Sequence, residues 1–122
     1  MRFSLDCGTE PIVLAADPEQ MEQVFINLFT NAVEAMSGGG DLAARVRAKD
    51  GAVVITVSDN GRGIAKESQD KVFEPFFTTK DKGTGLGLAI VFNIIRKHYG
   101  EIKVESEEGK GTAFTITMPR EV

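Results

Sequence analysis

Apolar and polar residues alternate along this chain with a period that changes several times, and each change marks an element. Phe3–Leu5 and Ile12–Ala15 are short apolar stretches on either side of Gly8-Thr9-Glu10-Pro11, which predicts two short strands joined by a turn. Asp17-Pro18 then supplies an N-cap followed by a proline at the first helical position, with Glu19 in the first turn, where the helix dipole favours negative charge. From there to Met36 the apolar residues recur at helical spacing, giving a helix of about 19 residues and ~28 Å. Ser37 and Gly38-Gly39-Gly40 end it. Asp41–Ala48 and Ala52–Ser58 flank Asp50-Gly51, a strong hairpin signal. After Asp59 comes a loop with one helical turn at Lys66–Val72, then a loop through Gly85. A second long helix is expected from Leu86 to Tyr99, with Gly100 at its C-terminal cap. Two closing strands, Ile102–Ser106 and Thr112–Met118, surround Gly109-Lys110-Gly111. Strands and helices alternate without a regular βαβ rhythm, so the expected sheet is mixed or antiparallel with helices on one face.

Composition narrows the class without naming a function. A chain of 122 residues without repeats or long linkers reads as one domain from end to end, residues 1–122. Its 14 basic and 18 acidic residues leave a net charge of −4, which argues against partners such as nucleic acid or an anionic membrane surface. No apolar run approaches the roughly 20 residues that span a bilayer, and the start lacks the apolar core of a signal peptide. A lone Cys7 excludes an internal disulfide framework, and with the single His98 it leaves few ligands for zinc. A reducing, cytoplasmic setting is the simplest expectation.

The first long helix has two faces. Met21, Val24, Phe25, Leu28, Phe29, Ala32 and Met36 form a broad apolar side, whereas Gln20, Gln23, Asn27, Asn31 and Glu34 gather opposite. A plain solvated stripe would account for the second group. Two asparagines four residues apart are nonetheless an uneconomical choice for such a stripe, because Asn competes for the backbone in mid-helix. That spacing aligns both amides on adjacent turns, and amide oxygens are hard ligands suited to Mg²⁺ held on phosphates.

The 13 glycines cluster between the periodic segments. Asp59-Asn60-Gly61-Arg62-Gly63-Ile64 leaves the end of the strand Val53–Ser58. An ordinary turn explains it, but an Asp held at the mouth of a sheet also accepts a hydrogen bond from an exocyclic amine, and glycines let backbone approach a flat ring. Gly83-Thr84-Gly85-Leu86-Gly87-Leu88 runs into the second long helix, where free N–H groups and the helix dipole suit an anion; a hinge loop is the alternative. It is neither a P-loop nor a dinucleotide fingerprint. Phe73, Phe76 and Phe77 lie just upstream, a density that suits anchoring a mobile loop to the core. Lys80 and Lys82 can reach a polyphosphate or simply be solvated.

Taken in order, Asn27-Leu-Phe-Thr-Asn31, Asp59-x-Gly61-x-Gly63, Phe73-x-x-Phe76-Phe77 and Gly83-Thr-Gly85-Leu-Gly87-Leu resemble the N, G1, F and G2 boxes of sensor histidine kinases. Those kinases share a superfamily with the DNA gyrase, MutL and heat-shock chaperone ATPases. The resemblance covers essentially the whole chain, and Gly111-Thr112-Ala-Phe114 with Met118-Pro119 is similar to the family's last strand. It implies the Bergerat fold, an α/β two-layer sandwich of a mixed, mostly antiparallel sheet packed against about three helices, with ATP held between the first helix and a lid. By that match Asn31 would ligate Mg²⁺ and Asn27 would assist at the phosphates. Asp59 would accept the adenine amino group, Gly61, Gly63 and Ile64 would line the base, and Thr112 would touch it. Gly83, Gly85 and Gly87 would hinge the lid and cradle phosphate. Phe73, Phe77, Thr78 and Lys80, with Thr84, Leu86 and Leu88, complete the expected nucleotide-binding set; Asn27, Asn31 and Lys80 are the catalytic candidates. Where many members carry a base three positions after the second asparagine, this chain has Glu34, which shifts that role to Lys80 or Lys82.

Nothing in the chain resembles the family's phosphoacceptor hairpin, and His98, near the end of the second long helix, is expected to be structural. The expected function is therefore to bind Mg·ATP and pass its γ-phosphoryl group to a histidine on a partner dimerisation domain, with a response-regulator receiver downstream and a monomeric domain when isolated. An ATP-hydrolysing clamp ranks lower, because its members carry a Glu where Asn27 stands and an amide cannot take a proton from water. An anti-sigma serine kinase and a nucleotide-binding regulatory module without transfer activity are the remaining alternatives.

Overall fold

The computed structural model describes residues 2–9, 12, 14–74 and 87–120. In chain order the elements are β1 (Arg2–Asp6), α1 (Pro18–Ala35), β2 (Asp41–Lys49), β3 (Ala52–Asp59), α2 (Lys66–Gln69), α3 (Gly87–Lys97), β4 (Glu101–Glu107) and β5 (Gly111–Pro119). The strands form one five-stranded sheet in the order β1-β2-β3-β5-β4. β1 runs parallel to β2, and every other pairing is antiparallel. This is the mixed, mostly antiparallel sheet with three helices expected from the sequence.

Period-two alternation decides which side of the sheet is covered. Leu42 and Ala44 of β2, Val53, Ile55 and Val57 of β3, Phe114, Ile116 and Met118 of β5 and Ile102 of β4 are buried. Val24, Leu28, Ala32 and Met36 of α1 and its C-cap, with Ala89, Val91, Ile94 and Ile95 of α3, close over them. Burying each such Val, Leu or Ile contributes about 1.5–3 kcal/mol before conformational entropy is counted. The opposite sheet face carries Arg45, Thr56, Ser58, Lys103, Glu105, Thr115 and Thr117.

Local chemistry explains the element ends. The Asp17 carboxylate accepts from the N–H groups of Glu19 (2.9 Å) and Gln20 (3.2 Å), capping α1 as expected. Asp50 and Gly51 both have positive φ, 52° and 79°, as the tight turn between β2 and β3 requires. His98 joins the two helices. Its Nδ1 lies 2.8 Å from the Ile94 carbonyl and its Nε2 accepts the Asp17 N–H at 3.1 Å, an arrangement that needs the neutral ring with its proton on Nδ1.

Two expectations are corrected. Residues 12, 14 and 15 carry no strand; β1 finds its partner in β2 instead of in them. Their apolar alternation has another cause, because Ile12, Leu14 and Ala16 pack on the core while the Ala15 N–H donates to the Arg120 carbonyl at 3.1 Å. The left-handed residue after α3 is Tyr99 (φ 63°), not Gly100. Gly100 is demanded by space: a Cβ there would come within 2.9 Å of Ile95 Cγ2, Met118 Cγ and the Thr117 carbonyl oxygen.

Tyr99 is 73% exposed, so its removal loses little packing. Tyr99→Gly is expected to raise unfolding stability by about 0.5–1 kcal/mol by relieving the left-handed strain. Gly100→Ala should lower it by about 1–3 kcal/mol through overpacking. Urea unfolding of the two variants checks both signs; equal effects would mean the turn is not strained at Tyr99.

Candidate functional site

The site is built at the end of β3. Val53, Ile55 and Val57 point into the core, and the same alternation places Asp59 on that face one step beyond the last apolar residue. The ladder pairs Asp59 directly with Thr112 of β5, and Thr112 with Ser106 of β4. The apolar rows of the sheet therefore finish in a polar row, Asp59–Thr112–Ser106, at one end of the helix-covered face. Thr112, only 6% exposed, is the one buried polar side chain among the described residues.

Asp59 is half-buried. Its Oδ1 accepts the Gly61 N–H at 2.9 Å, and the Thr112 N–H also donates to the carboxylate. Burial pushes the Asp59 carboxyl above its usual range, and the two N–H donors pull back without cancelling the desolvation. A carboxylate kept partly out of water, with no cationic partner among the described residues, suits a neutral hydrogen-bond donor arriving from outside.

The loop after Asp59 is wedged between elements. Arg62 N–H donates to the Ala35 carbonyl at the end of α1 (3.0 Å), and the Arg62 carbonyl accepts from Gly109 N–H in the β4–β5 turn (2.8 Å). A Cβ on Gly61 would lie 2.5 Å from the Ala35 carbonyl oxygen, and one on Gly63 (φ 74°) would lie 2.2 Å from that of Glu107. Both glycines thus permit backbone to pack on protein backbone. Ile64 N–H donates to Ser106 Oγ at 2.7 Å, and Gln69 Nε2 donates to the carbonyls of Ile64 (3.0 Å) and Ser106 (2.9 Å).

On α1, Asn27 and Asn31 are both half-buried. Asn27 Nδ2 donates to the Gly87 carbonyl at the start of α3 (3.3 Å), and its Oδ1 accepts from Gln23 (3.0 Å). The first asparagine and the last glycine of the glycine cluster, 60 residues apart in sequence, are therefore in direct contact. Phe73 stacks on Phe92 (5.6 Å between ring centroids) and meets Phe114 edge-on (6.1 Å), which makes it an anchor of the core; Leu88 packs on the same core. Phe76, Phe77, Thr78, Lys80, Lys82, Gly83, Thr84, Gly85 and Leu86 lie outside the described residues.

A family model described as histidine kinase-, DNA gyrase B-, and HSP90-like ATPase matches residues 16–122. The chain belongs to this ATPase family. Among curated relatives it is 49% identical over 120 residues to sporulation kinase E of Bacillus subtilis, covering 98% of this chain and 16% of that protein. It is 45% identical over 106 residues to the sensor histidine kinase ZraS of Escherichia coli, covering 87% of this chain and 23% of that protein. The catalytic domain of histidine kinase ThkA superposes with a TM-score of 0.89 at 36% identity, covering 99% of this chain and 81% of that one. Full-length ShkA in complex with AMPPNP gives 0.86 at 30% identity, covering 97% and 25%. The chain is thus similar to the catalytic domains of histidine kinases, and it spans between 16% and 26% of the curated relatives' lengths.

Two residues of the site, Ser106 and Gln69, stand outside the sequence motifs. Ser106 had a signal: it continues the inward alternation of Ile102 and Val104, where a hydroxyl is out of place unless it meets polar partners. Gln69 had none, because its two acceptors come together only when α2 lies beside β4.

The raised Asp59 value carries a sign. Folding favours the neutral carboxyl, so the stability it lends is complete below the ordinary value of 3.8 and is lost as pH rises through the folded value. Asp59→Asn, which cannot charge, is therefore expected to melt higher than the unaltered domain at pH 7 in the absence of ligand. The gap should close on acidification below pH about 4. Melting curves across that range check it; a gap independent of pH would mean that burial of the charge is not the cause.

Proposed function

We propose that this domain binds Mg·ATP with its adenine against Asp59 and donates the γ-phosphoryl group to a histidine carried by a separate helical dimerisation domain. The observation that carries the reading is the half-buried Asp59 carboxylate beside buried Thr112, on the sheet face that α1 and α3 cover. An exocyclic amine satisfies such an acceptor, whereas a carbonyl at the same place is repelled. The likeness to the sensor histidine kinase ZraS and to the catalytic domain of histidine kinase ThkA supports the acceptor class.

Among the described residues no three His, Cys, Asp or Glu side chains gather into a metal cage. Mg²⁺ leans on phosphates and water and takes a neutral amide oxygen as an added ligand. Asn31 would supply that oxygen. Bound there, the ion would neutralise charge on the phosphates during transfer. Asn27, whose amide bridges Gln23 and the Gly87 backbone, holds the start of α3 against α1 and so positions the end of the glycine cluster. Lys80 and Lys82 would contribute further neutralisation. An imidazole acceptor is already nucleophilic, so a strong general base is unnecessary, and an amide at Asn27 keeps hydrolysis by water slow. Both nitrogens of His98 are engaged between α3 and α1, which favours an acceptor outside this chain. A response-regulator receiver would take the phosphoryl group next. We place the reaction in the cytoplasm, where ATP is available and the exposed thiol of Cys7 stays reduced.

Calorimetry should show ATP binding and little GTP binding, with Asp59→Asn weakening ATP by about 2–4 kcal/mol. Incubation with a separately made helical-hairpin domain and γ-labelled ATP should put acid-labile label on the hairpin and none on this chain. Asn31→Asp should reduce metal-dependent binding and transfer. Equal affinity for ATP and GTP overturns the adenine assignment, and free phosphate without labelled hairpin overturns the transfer.

A further inference from the structure

The hydrogen bonds of Ser106 set a constraint on base selection that extends the nucleotide reading and rests on it. Ser106 Oγ has three polar neighbours: the Ile64 N–H at 2.7 Å, the Gly111 carbonyl oxygen at 2.8 Å and Thr112 Oγ1 at 2.8 Å. A serine hydroxyl has one proton and two lone pairs. The N–H can only donate and the carbonyl can only accept, so these two take one lone pair and the only proton. What remains for Thr112 is a lone pair. All three contacts are satisfied only if Thr112 donates to Ser106, and the Thr112 hydroxyl, paired with Asp59 in the register, is then left with lone pairs alone for any further partner.

Two features hold this direction. The register pins Ser106, Thr112 and Asp59 in one row across β4, β5 and β3, and Gln69 grips the carbonyls of Ser106 and Ile64, fixing the loop whose N–H occupies the other serine lone pair. Thr112 is buried, so bulk water is not at hand to reorient its hydroxyl.

We infer that Ser106 is a specificity-positioning residue: by holding the Thr112 proton it makes Asp59 and Thr112 a pair of acceptors with no donor. A base with an amine at position 6 brings two N–H donors and can serve both. A 6-oxopurine puts a carbonyl there, which neither acceptor can bind, and its nearest donor, the ring N1–H, lies one ring position away and serves at most one of the two. Selection of adenine over 6-oxopurines thus comes from Asp59 and Thr112 together, with Ser106 setting the second acceptor from behind without touching the base.

Calorimetry on this chain with ATP and inosine triphosphate, which differ at position 6, tests it. Ser106→Ala frees the Thr112 hydroxyl to rotate and donate, so the ratio of ATP to inosine triphosphate affinity should fall by about fivefold or more, the size of one hydrogen bond. Ser106→Thr keeps the hydroxyl and should hold the ratio within about twofold of the unaltered chain. In a Thr112→Val background Ser106→Ala should change the ratio no further. If Ser106→Ala does not fold, Ser106→Cys is the substitute, because a thiol is too weak an acceptor to keep the Thr112 proton and should shift the ratio the same way. Equal weakening of both nucleotides at constant ratio means that Ser106 merely braces the loop, and overturns the inference. A ratio change that persists in the Thr112→Val background also overturns it. Failure of the underlying reading looks different: the unaltered chain would not bind ATP, or Asp59→Asn would leave ATP affinity unchanged, and the inference would fall with it.

Discussion

Everything at the site depends on the register of three strands. β3, β5 and β4 pair so that Val57, Phe114 and Val104 form one row and Asp59, Thr112 and Ser106 the next. The first row is core; the second is polar and sits where the helical cover ends. A slip of one residue in any of these strands would turn its polar member to the opposite face and bring a neighbour in instead. The bulk of the buried apolar area therefore specifies not only the fold but also which three polar side chains share the mouth of the sheet.

The glycines serve that register before they serve any ligand. Gly61 and Gly63 let the loop after Asp59 run against the Ala35 and Glu107 carbonyls, and Gly111 (φ 130°) would place a Cβ 2.0 Å from the Asp59 carbonyl oxygen. A side chain at Gly61 would force the loop off α1, one at Gly63 off the end of β4, and one at Gly111 would part β5 from Asp59. The loop is therefore held on both flanks by backbone contacts and by Ser106 and Gln69. A half-buried carboxylate stays where desolvation raises its pKa only if its surroundings are this rigid.

The two long helices are tied at two separate places. His98 joins the C-terminal end of α3 to the N-cap of α1, and Asn27 joins α1 to the first residue of α3. Fixing both ends limits sliding of one helix along the other, so Gly87 and the start of α3 keep a set place beside α1. His98 and Asn27 thus have comparable architectural roles, although only Asn27 lies on the polar face that carries the other candidate ligands.

The sequence by itself determined the five strands of the sheet, while adding one at Ile12–Ala15 that does not form, and also both long helices, the cap at Asp17, the tight turn at Asp50-Gly51 and the candidacy of Asn27, Asn31, Asp59 and Thr112 for the site. These are legible because periodicity, capping and turn chemistry act over a few residues, and because the four motifs stand in a recognisable order. Tertiary structure alone decided the rest. That β1 pairs with β2 and leaves Ile12 and Leu14 to pack on the core depends on which sheet edge is open, not on the apolar alternation both segments share. That position 100 must be Gly depends on Ile95 and Met118 occupying the space beside it, although the left-handed residue is Tyr99. Ser106 gains its three neighbours from a loop 42 residues away and from the strand beside it. The direction of a hydroxyl proton is set by those donors and acceptors, and they meet only once the strands are in register.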